Sequence, residues 1–179
     1  MSSKNVFSTS KTKNSGLLAN NIAIRPITEA DNPVLAQIIR AVSAEYGLTP
    51  DRGFSVADPT LDALYQVYQA PKSKYWLVEQ DGMVQGGVGI APLPGYPDVC
   101  ELQKMYFLPQ LRGQGVAWHM SQLCFTEARQ YGFKQIYLET TACLKEALAL
   151  YQALGFATLE RHLGDTGHDA CEIPMLKQL

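Results

Sequence analysis

Apolar and polar positions along the chain change period several times, and each change marks an element. Ile22, Ile24 and Ile27 open with a short strand-like alternation that closes near Pro26. Leu35, Ile38, Ile39 and Val42 then recur three and four residues apart, which predicts an amphipathic helix with Thr28 as its cap and Gly47 at its end. Leu48 to Ala57 has no period and contains Pro50 and Gly53. Asp58-Pro59 predicts a second helix start, and Leu61, Leu64, Tyr65 and Tyr68 form its stripe. Strand signals follow at Tyr75 to Glu79 and Met83 to Ala91, joined by the hairpin pair Asp81-Gly82. Gly86, Gly87 and Gly89 interrupt the second of these and suggest close backbone approach. After a stiff turn with Pro92, Pro94, Gly95 and Pro97, Val99 to Phe107 reads as a third strand.

Helical spacing returns at Val116, Met120, Leu123, Cys124 and Ala128, then a strand at Gln135 to Glu139. A last helix carries Leu144, Ala147, Leu148, Tyr151 and Leu154 and stops at Gly155. Phe156 to Leu159 and Ala170 to Leu176 read as two final strands. The order β-α-α-β-β-β-α-β-α-β-β predicts an α+β domain: a mixed, mostly antiparallel sheet of six or seven strands, flanked by about four helices. That domain is expected over 22–179. Residues 1–21 are rich in Ser, Lys, Asn and Thr and lack acidic residues, so a flexible tail is expected there.

Composition narrows the partners. The 179 residues are 46% hydrophobic and 18% charged, with a formal net charge of -2, so no global basic field exists to draw in nucleic acid or an anionic membrane. No apolar run reaches membrane-spanning length, and the N-terminus shows no signal-peptide stretch. Cys100, Cys124, Cys143 and Cys171 have no paired metal-ligand spacing and lie in apolar stretches; free thiols in a cytoplasmic protein are expected. His119, His162 and His168 have no ligand spacing to one another, so no metal is expected.

The chemistry concentrates at Leu111-Arg112-Gly113-Gln114-Gly115-Val116-Ala117, between a strand and a helix. Gly113 and Gly115 remove side chains where backbone N–H groups could face a ligand, and the helix start adds unpaired donors. Together these can cradle a pyrophosphate. Such turns also serve as plain strand-to-helix connections.

The run Cys100 to Ala117 resembles the core of the GNAT family of N-acetyltransferases. The family signature (Arg or Gln, two residues, Gly, one residue, Gly or Ala) falls on Arg112, Gly115 and Ala117. A second family feature, a Tyr followed by Gly and an aromatic at the end of the next helix, falls on Tyr151, Gly155 and Phe156. The resemblance covers the chain from Ile22 onward. It implies that the strand holding Met105 splays from the strand holding Tyr137 and that acetyl-CoA wedges into the opening. Met105, Tyr106 and Phe107 would pair with the pantetheine arm. Arg112, Gly113, Gln114, Gly115, Val116 and Ala117 would hold the pyrophosphate, with Arg112 either contributing charge or bracing the loop. A backbone N–H near Met105 would polarise the thioester carbonyl.

Acetyl transfer to an amine needs a base and a stabiliser for the departing thiolate. Glu101 resembles the family's catalytic glutamate in position, and a half-buried carboxylate there would have a raised pKa. It could instead anchor the substrate ammonium. Tyr151 matches the tyrosine that stands near the sulfur. Cys100 and Cys143 have no activating base beside them, so direct transfer is expected rather than an acyl-cysteine. Tyr46, Arg52, Phe54, Asp58, Tyr96, Asp165, His168 and Asp169 are candidate rim residues for the acceptor, with His119 near the loop. Many family members carry a polar anchor, often Asn, after the fifth strand; here Thr140, Thr141 and Cys143 stand instead. The resulting expectation is an acetyl-CoA-dependent N-acetyltransferase acting on a primary amine of a small molecule, amino acid or peptide; the resemblance also implies a homodimer, since dimers are common in the family. A non-catalytic acyl-CoA-binding module and a longer-chain acyltransferase remain as alternatives.

Overall fold

Strict alternation of side chains sorts the sheet's two faces. In β2 (Lys74–Gln80), Trp76 and Val78 belong to one buried cluster, Tyr75 and Leu77 to another. Both faces of the sheet are therefore covered, which is why the strand reads as almost continuously apolar. The computed structural model describes residues 21–50, 55–164 and 171–179. The tail expected over 1–21 thus lies outside the described residues, apart from Asn21, whose carbonyl accepts the Asp81 N–H at 3.0 Å.

Seven strands form one sheet in the order β1-β2-β3-β4-β5-β7-β6. They are β1 (Ile22–Pro26), β2, β3 (Met83–Pro92), β4 (Val99–Phe107), β5 (Gln135–Thr140), β6 (Ala157–Thr158) and β7 (Ile173–Gln178). Every pairing is antiparallel except β4 with β5. The fold class expected from the sequence is the one observed. Asp81 (φ 52°) and Gly82 (φ 77°) both adopt the left-handed conformation that a two-residue hairpin needs, so the sequence pair sets the β2–β3 register.

α3 (Val116–Gln130) and α4 (Lys145–Ala153) cover one face, with Met120, Cys124, Phe125 and Tyr151 packed on Val88, Leu102 and Ile136. α1 (Asn32–Glu45) covers the other, with Leu35 and Ile39 fully buried near Tyr75 and Leu77. Burying each such side chain contributes about 1.5–3 kcal/mol.

Three elements differ from the sequence reading. Thr28 caps a single 3-10 turn, Glu29–Asp31, that precedes α1. The helix expected after Asp58-Pro59 is a 3-10 turn, Leu61–Ala63, followed by one α-turn, α2 (Leu64–Val67). Asp58 Oδ1 accepts both the Thr60 N–H (2.8 Å) and hydroxyl (2.6 Å), a local turn that competes with helix propagation. The last strand runs Ile173–Gln178 and is later than expected.

Candidate active site

The sheet opens in its middle. β4 and β5 are in register only at Val99–Gln135, Cys100–Ile136 and Glu101–Tyr137. Beyond Glu101 the strands part, and β5 stays paired with β7 over its whole length. A bulge in β4 accompanies the parting. Gly87 pairs with Tyr106 and Gly89 with Gln103, so Lys104 and Met105 together oppose Val88. Lys104 takes φ 49°, rare for a lysine, and the buried Tyr75 hydroxyl donates to its carbonyl at 2.7 Å. A cleft of about 480 Å³ fills the opening, walled by Gln103 to Phe107 on one side and Leu138 to Thr141 with Leu150 and Tyr151 on the other.

The glycine loop forms one end of the cleft. Gly113 (φ 72°) and Gly115 (φ 73°) are left-handed, and a Cβ at either would meet nothing within 4 Å. Their requirement is conformational, not steric. Gly115 caps α3 with no side-chain acceptor and no acidic residue in the first turn. By helix geometry the N–H groups of Val116, Ala117 and Trp118 lack intrahelical acceptors, which leaves an anion-binding helix end. Arg112 lines the cleft and also reaches outside the loop. Its guanidinium grips Glu45 with two bonds (2.5 and 2.8 Å), donates through Nε to the Phe107 carbonyl (3.1 Å) and lies over the Tyr46 ring. It braces the loop against α1 and the end of β4. Gln114 donates to the Gln110 carbonyl.

Glu101 is 5% exposed and sits where the strands divide. Burial raises its carboxyl to about 7; the Gln103 amide, donating to Oε2 at 2.6 Å, and the Lys104 ammonium oppose the rise, while the Glu139 carboxylate adds to it. The Lys104 side chain is 6% exposed and salt-bridged to Asp58 at 2.7 Å. Burial would raise the Asp58 carboxyl, but Lys104 and Thr60 hold it at about 2.

Tyr151 faces the cleft from α4. The helix ends in a Schellman turn, with Phe156 N–H on the Tyr151 carbonyl and Gly155 N–H on the Gln152 carbonyl, both 3.0 Å. Gly155 takes the required φ of 89°, and the Phe156 ring packs edge-on against Tyr151 at 5.8 Å. The Tyr-to-Gly-aromatic spacing is thus also a device that fixes the Tyr151 ring. Its hydroxyl makes no hydrogen bond among the described residues, and burial raises its pKa above the ordinary phenol value.

The structure brings Glu101, Met105, Tyr106, Phe107, Arg112, Gly113, Gly115, Val116, Ala117 and Tyr151 to one cleft; Gln114 adjoins it. Tyr46, Thr140 and Thr141 line it too, and Thr141 donates to Glu172 at 3.1 Å. Tyr96 and His119 are not on its walls. Arg52, Phe54, Asp165, His168 and Asp169 lie outside the described residues. Burial pushes the Cys100 thiol up to about 12, which keeps it from forming a thiolate. Among the described residues, no group of three or more His, Cys, Asp or Glu is arranged to hold a metal ion, and no helix is long and apolar enough to cross a membrane. Sequence reasoning missed Gln103, Lys104, Glu139 and the exposed Trp118 as cleft residues. Only Gln103 carried a signal, since it shares a strand face with Glu101.

An open sheet with a divided β4–β5 pair and a glycine loop leading into α3 defines an acyl-CoA N-acyltransferase fold. Residues 40–156 match the model of the Acetyltransferase (GNAT) family. The chain is 57% identical over 166 residues to "Uncharacterized N-acetyltransferase YjgM" of Escherichia coli (strain K12), covering 89% of this chain and 99% of that one. An acetyltransferase of Staphylococcus aureus Mu50 superposes with a TM-score of 0.75 at 17% identity, over 88% of this chain and 98% of the other. Salmonella typhimurium yncA, solved with its cofactor acetyl-CoA, gives 0.68 at 19% identity, over 89% and 94%. The chain belongs to the GNAT family of acetyltransferases and is an N-acetyltransferase of that family.

Proposed function

We propose that the protein transfers the acetyl group of acetyl-CoA directly to a primary amine, with Glu101 as the base and Tyr151 beside the departing sulfur. The observation that carries this reading is the placement of a buried carboxyl with a pKa of about 7 and an unengaged phenol in one divided-strand cleft that ends at a helix N-terminus. The pyrophosphate lies on Gly113 to Ala117, and the pantetheine arm runs along Met105 to Phe107. The parting of the strands supports the second assignment, because beyond Glu101 β4 has no register partner on β5.

The acceptor arrives as an ammonium ion. Glu101 takes one of its protons, directly or through water, and the nitrogen lone pair attacks the thioester carbonyl carbon. The C–S bond breaks as the carbonyl re-forms, the sulfur leaves with the bonding pair, and the nitrogen loses its second proton. Tyr151 holds the thiolate by a hydrogen bond. An alkyl thiol has a pKa of ~8.5, below that of a phenol, so complete proton donation by Tyr151 would be uphill by about 2 kcal/mol or more. Thiolate is therefore stabilised in place and takes its proton from the nitrogen or from water.

A panel of small amines, amino acids and short peptides tests the reading, with free thiol release from acetyl-CoA as the signal. Release that depends on one class of amine is expected. Release with no dependence on any amine, or a strong preference for long-chain acyl-CoA, would count against it. Tyr151→Phe should lower kcat roughly 10- to 100-fold, the value of a hydrogen bond to a charged group, with acetyl-CoA affinity nearly unchanged. Equal losses in affinity and turnover would instead assign Tyr151 to packing.

A further inference from the structure

We propose that Gln103 and Tyr68 are positioning residues for the proton transfer: a two-step relay that fixes the orientation of the Glu101 carboxylate. The proposal rests on Glu101 acting as the base. The Tyr68 hydroxyl donates to Gln103 Oε1 at 2.9 Å, and Gln103 Nε2 donates to Glu101 Oε2 at 2.6 Å. The order of donors is forced from both ends. A carboxylate can only accept, so the Gln103 amide must turn its NH₂ toward Glu101; its oxygen then needs a donor, and Tyr68 supplies one.

Packing holds the far end rigid. Tyr68 is 4% exposed and tilts against Tyr75, with ring centroids 5.0 Å apart. Both rings lie on Gly89, where a Cβ would come within 2.6 Å of each. Tyr75 in turn holds the Lys104 carbonyl. One tyrosine pair therefore sets two things: the β4 bulge through Tyr75, and the carboxylate through Tyr68 and Gln103. Oriented bases transfer protons faster because their geometry is set before the substrate arrives.

Lys104 and Glu139 also act on the Glu101 carboxyl, the first favouring its ionised form and the second its neutral form. Lys104 on β4 is engaged with Asp58, and Tyr137 on β5 donates to Glu139 at 2.6 Å. Cys171, whose thiol burial pushes up to about 12, is neutral. Gln103 supplies the hydrogen bond that favours the ionised carboxylate. Removing it makes Glu101 harder to ionise, so the acidic limb of the pH–rate profile moves to higher pH.

The test uses Gln103→Met, Tyr68→Phe and the double variant, each near-isosteric, with Glu101→Gln alongside. For Gln103→Met, kcat/KM at pH 6.5 should fall roughly tenfold and recover only in part at pH 9, because the limb shifts and the ionised carboxylate is also less well oriented, with acetyl-CoA affinity unchanged. Tyr68→Phe should move the limb the same way by less. In the double variant the profile should match Gln103→Met, because Tyr68 acts through Gln103. Additive shifts, or a wild-type limb in Gln103→Met while Glu101→Gln is crippled, would overturn the relay and leave the base assignment standing. Wild-type turnover in Glu101→Gln would overturn both.

Discussion

Glu101→Gln is expected to lower kcat by ~10²–10⁴, the usual contribution of a positioned general base. The substitution keeps the shape of the side chain and its oxygen for the Gln103 amide, so the loss reports the proton acceptor. In the wild type, kcat/KM should rise as pH increases through about 7, where the buried carboxyl ionises. That limb should vanish in Glu101→Gln, leaving only the ionisation of the acceptor amine. At a pH above the amine's own pKa the base becomes unnecessary, and the two enzymes should converge. A retained limb near 7 would assign it to another group.

Stability moves the opposite way. The folded pKa of Glu101 is raised above the ordinary value of 4.5, so its neutral form is favoured in the native state. Its contribution is fully present below the unfolded pKa and is lost as pH rises through about 7. Relative to wild type, Glu101→Gln should therefore gain stability between pH 5 and pH 8. The gain is on the order of 3 kcal/mol, from a shift of about 2.5 units. Denaturant titrations at the two pH values check it. Loss of activity with a gain in stability is the signature of a group held in a costly environment for its chemistry.

What was legible in the sequence was local. Asp81-Gly82 is a turn by its own chemistry, Gly155 ends a helix by its own φ, and alternating Val, Ile and Leu find the sheet without help. Glu101 and Tyr151 were reachable because motif spacing places them. The illegible features depend on residues far apart in the chain. Arg112 reads equally as a phosphate ligand or as a brace for the loop, and its ion pair with Glu45, 67 positions away, has no signal in the local sequence. Lys104 carries a left-handed φ that nothing in its side chain announces; Tyr75, 29 positions away, fixes it. Asp58 reads as a helix cap but spends one oxygen on Thr60 and the other on Lys104. In each case a tertiary partner supplies what local preference does not.

Gly86→Ala should be the most damaging single-carbon change in the sheet. Gly86 has φ 148°, which L side chains rarely adopt, and its Cβ would lie 2.1 Å from the Tyr106 carbonyl oxygen and 2.8 Å from Phe107 Cα. Both neighbours are backbone, so no rotamer change can relieve the contact. Strain at such a φ costs ~1–3 kcal/mol, and overpacking adds a similar amount. A loss of about 3 kcal/mol or more is expected, which corresponds to a fall in Tm of roughly 10 °C for a chain of this size. Gly82→Ala separates the two causes: Gly82 has φ 77° but nothing within 4 Å of its Cβ, so only the strain applies. Gly86 faces Phe107 in the β3–β4 register. The easiest relief is for the end of β4 to move outward, and that end is the wall of the cleft. Gly86→Ala should therefore weaken acetyl-CoA binding measured by calorimetry, and Gly82→Ala should not. Equal effects of the two on stability would mean that the ladder at Tyr106–Phe107 yields freely, and a wall that yields could not hold the thioester in place for attack.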